Sequence, residues 1–337
     1  MQFEYEITFL SEFVQQEVLS DYLKTLVDKN EEHKQRAHSL ISSSDTANMA
    51  AAFLSMNCLN APSAEYVISL CEFWKLSDEV KFLAFEVLNQ FMNKLMCELY
   101  CTIWLSDDKC LGLEVNSSES SIHTKDNSRI SLCESQWKST IEHVSKQMEL
   151  RAVSSVALAS KFISVKNKVT SNMAINYLNS RGYAYKKSIL FKSEVRILKY
   201  LDFNMYSVPC ILPYIGAMLQ SIASTDRCFN GSRIYKTCVE LLHCFYQRRT
   251  LVYARLWHIE VNACGIIDSK YLRFASSLLE TMSDKVYLSC AMIASATYLL
   301  SRKHSDRMIV MLRKMTTIPD DDIAEFAHVL MDVLLTK

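Results

Sequence analysis

The sequence predicts an all-α protein. Three observations carry that expectation. Glycine and proline number only five and four among 337 residues, so the turns that a sheet needs are nearly absent. Half of the residues are apolar and 22% are charged, enough to bury real cores. Apolar residues recur with a helical period over long stretches. At this length two domains of about 150 residues each are expected.

The elements follow in order. Phe9, Phe13, Val18, Tyr22 and Leu26 supply the stripe of a first amphipathic helix, and Ser42-Ser43-Ser44-Asp45 separates it from a second apolar run at 47–59. Residues 1–58 are therefore read as N-terminal helices. Pro62-Ser63-Ala64-Glu65 resembles a helix start, with proline and an acid in the first turn. A helix over 65–76 follows, and Ser77-Asp78 caps a longer one reaching about Cys101. Residues 106–135 are polar and aperiodic, which predicts a disordered insertion inside a domain spanning 59–207. Helices are then expected near 136–166, 171–180 and 187–202.

Val208-Pro209 opens a second helical domain, 208–337, with helices near 209–223, 232–247, 249–263, 269–281, 284–302, 306–315 and 320–335. Its 286–300 helix is uncharged and carries Ala291, Ala294, Ser295 and Ala296, echoing Ala157, Ala159 and Ser160 of the first half. Small side chains let neighbouring helices approach closely. Each of these segments reads as the buried central helix of a five-helix bundle.

Several chemistries are excluded by what is missing. The five scattered glycines form no phosphate loop or dinucleotide fingerprint. His33 and His38 are five apart, unlike the i, i+4 pair of a metal site, and the adjacent His243 and Cys244 point to different helix faces. No cofactor, metal or enzymatic activity is expected. Twelve cysteines without a Cys-x-x-Cys pair suit core packing in a reducing compartment. The acidic start Met1 to Glu6 is unlike a secretory signal. The longest uncharged run, 203–225, is interrupted by Asn204, Pro209, Pro213 and Gln220 and makes a poor membrane span. An intracellular, soluble protein is expected.

The chemistry that remains is a docking device. Leu158, Lys161 and Phe162 share one helix face, and Glu194 and Leu198 lie one turn apart on another helix. Residues 151–200 hold ten Lys/Arg and a single acid, Glu194, whereas residues 1–100 hold fifteen acids and seven bases. A lone carboxylate in so basic a stretch points to a specific partner, with Lys161 and Glu194 presented side by side to an incoming polypeptide. An ordinary surface ion pair, worth about 0–1 kcal/mol, is the plain alternative.

The segment Ala159-Ser160-Lys161-Phe162, with Glu194 ahead of Leu201-Asp202-Phe203, resembles the cyclin fold. Glu72 to Leu76, Ser77-Asp78-Glu79-Val80 and Phe82-Leu83-Ala84 look like the first two helices of a cyclin box. The resemblance covers about 60–210 specifically and 210–337 as a plausible second box. The run Leu150 to Ser155, with Asn167 to Asn172 and Arg181-Gly182-Tyr183, is similar to the cyclin N-terminal domain-containing branch, which acts at meiotic crossover sites.

The resemblance implies two tandem cyclin boxes. It also implies a nuclear, non-catalytic regulator on meiotic chromosomes that promotes crossover maturation with other meiotic crossover proteins. By the same resemblance, Lys161 and Glu194, with Leu158, Phe162, Leu198 and Phe203 around them, contact a cyclin-dependent kinase and hold its regulatory helix in the active position.

Two alternatives are a kinase-independent scaffold and a cyclin-fold DNA-binding factor. Zero net charge and the acidic N-terminal third argue against direct nucleic-acid contact. One departure from the family is plain. Substrate-recruiting cyclins begin their first helix Met-Arg-x-x-Leu and pair that arginine with an aspartate. Here Leu59-Asn60-Ala61-Pro62-Ser63 and Asn89 stand instead. Arg129-Ile130-Ser131-Leu132 matches the Arg-x-x-Leu pattern of a degradation signal.

Overall fold

The computed structural model describes residues 12–39, 61–104, 122–164, 166–226, 229–260 and 275–335. These residues are all-α, and no strand occurs among them. Two compact units emerge, one built from Leu40–Val208 and the other from Met1–Ser39 together with Pro209–Lys337.

Helix α1 spans Glu12–Ser39, and the first unit contains α2 (Ala61–Phe73), α3 (Asp78–Trp104), α4 (Ile122–Lys146), α5 (Met148–Ile163), α6 (Ser171–Ser180) and α7 (Lys187–Tyr200). Helix α5 is its axis, touching α2, α3, α4, α6 and α7. Every residue from Leu150 to Ser160 is buried, because alanines and serines on all sides admit neighbours closely. Ser154 Oγ and Ser193 Oγ are hydrogen-bonded at 2.8 Å, tying α5 to α7.

The second unit holds α1 (Glu12–Ser39), α8 (Leu212–Thr225), α9 (Gly231–Leu256), α10 (Ala275–Ser283), α11 (Lys285–Leu300), α12 (Ser305–Thr316) and α13 (Asp320–Leu335). Helix α11 is buried from Lys285 to Thr297 except for Tyr287, and it touches α1, α8, α9, α12 and α13. Ser295 on it donates to Ala291 O and lies 3.2 Å from Ala327 O of α13.

Four features differ from the sequence reading. Helix α1 is no separate N-terminal element, since it clusters with 209–337 and packs on α8, α10 and α11. Its buried stripe is Leu26, Asn30, His33 and Ala37, while Val18 and Tyr22 of the expected stripe are exposed. Asn30 is buried because its side chain is spent on the start of α11: Nδ2 donates to Asp284 Oδ1 at 3.0 Å, and Oδ1 accepts from Lys285 N at 2.7 Å.

The second difference is α4, which begins at Ile122, so 122–135 is helical and not a disordered insertion. Residues 105–121 lie outside the described residues. A few anchors hold this polar helix. Cys133 is buried with its thiol 3.5 Å from Ile103 O, Trp137 sets its ring edge-on to Tyr100 at 5.4 Å, and Val144 is buried. Third, Arg129–Leu132 lies within α4 rather than in an aperiodic segment. Fourth, the two helices expected at 232–247 and 249–263 are one, α9, continuous to Leu256, because Arg248-Arg249 contains no breaker.

Candidate docking site

The site begins where α5 emerges from the core. Ser160 is fully buried, and the next three residues, Lys161, Phe162 and Ile163, are exposed. The chain is pinned at this exit. Ser160 Oγ donates to Ala157 O at 2.9 Å and accepts from Val169 N at 2.9 Å, while Asn167 Nδ2 donates to Lys75 O at 3.0 Å. Lys161 therefore stands on a fixed base.

Lys161 Nζ lies 2.7 Å from Glu194 Oε1 and 2.8 Å from Oε2, so the ammonium spans both oxygens of one carboxylate. The partners are not equally presented. The Lys161 side chain is 34% exposed, but that of Glu194 is only 9% exposed. The expectation of two charges offered side by side is thus corrected for Glu194. Leu190 and Ile197 form the buried stripe of α7, and Glu194, four residues after one and three before the other, shares it. Glu194 reaches α5 and holds Lys161, whose ammonium has a third N–H beyond these two contacts.

The predicted apolar surround divides in the same way. Leu158 is 8% exposed and supports the face from below, and Leu198 is half-buried. Phe162 is exposed and packs edge-on to Tyr206 with ring centres 4.7 Å apart. Phe203 is 64% exposed. Sequence reasoning missed Phe191 and Tyr206, which are 66% and 78% exposed. Phe191 was findable, because it precedes Glu194 by three residues and Leu198 by seven on one helical stripe. Exposed aromatics on α7, on the turn after it and at the end of α5, which carries the held ammonium, are the composition of a protein interface rather than of a solvated surface.

The turn that carries Phe203 is unusual. Asp202 and Phe203 both have left-handed backbones, with φ of 53° and 54°. Outside glycine, such conformations cost on the order of 1–3 kcal/mol each and persist only where their surroundings hold them. Phe203 N–H donates to Leu198 O at 2.8 Å, closing the end of α7. From α3, Lys94 Nζ donates to Tyr200 O at 2.7 Å and to Asp202 Oδ2 at 3.1 Å. The Tyr200 hydroxyl bonds Glu98 on the same helix as Lys94.

Beneath the site lies Arg151, 5% exposed, with its guanidinium 5.4 Å from the Phe91 ring centre. It donates to Gln147 Oε1 at 2.9 Å and reaches Met92 Sδ at 3.5 Å. Burial, and then the charge of Arg196, lower its pKa to about 10 despite an opposing contribution from Tyr200.

Other expected features have their place. Asn89 is a buried residue of α3, and Leu59 and Asn60 lie outside the described residues. Among the described residues no group of three or more His, Cys, Asp or Glu is placed to hold a metal ion, and no helix is long and apolar enough to cross a membrane.

No family profile matches the chain. Individual proteins do. The chain is 28% identical over 269 residues to Cyclin N-terminal domain-containing protein 1 of Homo sapiens, covering 79% of this chain and 73% of the human protein. Against the protein of that name from Mus musculus the identity is 26% over 270 residues, covering 79% and 72%. These relatives support a cyclin-like protein.

Proposed function

We propose that the chain is a non-catalytic, cyclin-like regulator that promotes crossover designation and maturation in meiotic nuclei. In this reading its two helical units are tandem cyclin boxes, and the first binds a cyclin-dependent kinase while the protein also scaffolds meiotic crossover proteins. The observation that carries the reading is the partly exposed Lys161 ammonium, held by the buried Glu194 carboxylate, on a helix end whose next residue, Phe162, is exposed and packs on the exposed Tyr206. The similarity to the human and mouse cyclin N-terminal domain-containing proteins supports the cyclin part of it. Charge supports a partner of acidic and apolar character. The one acid of 151–200 is taken up by Lys161, and Lys187, Lys192 and Lys199 of α7 are exposed.

The test is binding of the purified full chain to a panel of purified cyclin-dependent kinases. Phe191→Asp and Phe203→Asp alter residues that are mostly exposed, so the fold survives them. Each is expected to weaken binding at least tenfold to whichever kinase the unaltered chain engages. Binding to none of the panel, or unchanged binding by both variants, overturns kinase engagement through this face.

A kinase-independent scaffold is the second reading, favoured by Asn89 standing where substrate-recruiting cyclins carry an aspartate. Kinase assays with the same purified proteins separate the two. Stimulation eliminates the scaffold-only version, and binding without stimulation favours it.

A further inference from the structure

We infer that Lys94 is a positioning residue for this face, holding the turn after α7 that displays Phe203 and leads to Tyr206, which packs on Phe162. The inference rests on the docking reading above and adds a residue that lies on a different helix from the rest of the face.

Three observations combine. The turn contains two successive non-glycine residues in the left-handed region, Asp202 and Phe203, so its conformation needs external support. Lys94 grips it at two points, the Tyr200 carbonyl and the Asp202 carboxylate, at 2.7 and 3.1 Å. The first also places a cation at the C-terminus of α7, where unpaired carbonyls gather negative potential. Finally, what the turn displays is not packed away. Phe203 is 64% exposed, and Tyr206 meets Phe162 yet remains 78% exposed.

An aromatic ring anchors a partner well only when its position is set in advance, because a wandering side chain must first be immobilised. Lys94 supplies that order without touching the partner, using the α3 frame that packs against α5 and α7.

The experiment is a double-mutant cycle on the full chain. Binding to a purified cyclin-dependent kinase is measured for the unaltered protein, Lys94→Met, Phe203→Ala and the pair. Hydrogen exchange of the 201–206 amides is followed in parallel. Lys94→Met is expected to weaken binding about tenfold, because the Phe203 ring must then be ordered on binding rather than before it. It should have little further effect once Phe203→Ala is present, and Lys94→Arg should restore most of the affinity. A merely structural role would instead give additive losses.

Exchange at 201–206 is expected to quicken in Lys94→Met with the melting temperature nearly unchanged. If Phe203→Ala weakens binding while Lys94→Met does not, or the two losses add, the positioning role is overturned and the docking face stands. If Phe203→Ala has no effect, Phe203 is no part of the docking face and the positioning role falls with it, while the face itself is decided by Phe191→Asp. In that case unaltered exchange at 201–206 also disproves the clamp, and quickened exchange upholds the clamp alone.

Discussion

Asn30 and Asp284, 254 residues apart in sequence, share the N-cap of α11: each side chain hydrogen-bonds the other and accepts from a backbone N–H at the helix start. Asn30 is 2% exposed, so its loss removes the buried carboxamide oxygen that accepts from Lys285 N and Val286 N at the helix start. Asn30→Ala is expected to destabilise the second unit by about 2 kcal/mol. Differential scanning calorimetry should register this as a drop of roughly 4–8 °C in the melting transition. An unchanged transition would show that α1 contributes no cap.

The unequal exposure of Lys161 and Glu194 predicts unequal mutants. Lys161→Met strands a carboxylate that is 9% exposed and should cost about 3 kcal/mol or more. Glu194→Gln leaves an ammonium that water can reach and should cost no more than about 1 kcal/mol. Urea denaturation of both variants checks the asymmetry, and equal losses would contradict it.

Arg151 predicts a gain. It is a buried cation with no carboxylate among its described contacts, and its charge is disfavoured by burial and by Arg196. A base whose pKa falls on folding destabilises the fold at neutral pH, and that penalty fades only as pH rises through about 10. Arg151→Met, which keeps the apolar stem against Phe91, should raise stability by about 1 kcal/mol. A lower melting temperature in this variant would reveal a role for the charge itself.

The cysteines predict a reactivity order. Burial pushes the Cys71 and Cys290 thiols up to about 12, and Cys238 higher still, whereas Cys244 is exposed. Since only the thiolate attacks, iodoacetamide at pH 8 should label Cys244 well before the other three, as read by peptide mass spectrometry. The same shifts set a pH trend. Above about pH 9 unfolded thiols lose their protons while these buried ones keep them, so the unfolded state binds fewer protons and stability falls as pH rises. A melting temperature that climbed between pH 8 and pH 10 would refute the sign.

Much of the framework was legible in the residues. The small, uncharged character of Ala152–Ser160 and Val286–Leu300 marked α5 and α11 as buried axes, because only helices covered on all sides tolerate it. The juxtaposition of Lys161 with Glu194 was legible as well. The burial of Glu194 follows from Leu190 and Ile197 at i−4 and i+3, a local pattern that the search for paired charges passed over. Helix α1 was harder. Its contact stripe includes Asn30 and His33, so hydrophobic periodicity points at the wrong face, and no local signal reveals a partner more than 250 residues away. The start of α4 was hidden for the opposite reason: a polar run held by three or four scattered anchors looks like a chain without a core.

The place of α1 also has a consequence in time. Asn30 leaves the ribosome 254 residues ahead of Asp284, with which it completes a helix start. At ordinary elongation rates that interval is on the order of tens of seconds. Over that interval α1 gains first α8 and only later α10 and α11, and the intervening unit can finish folding before the first helix has its full seat.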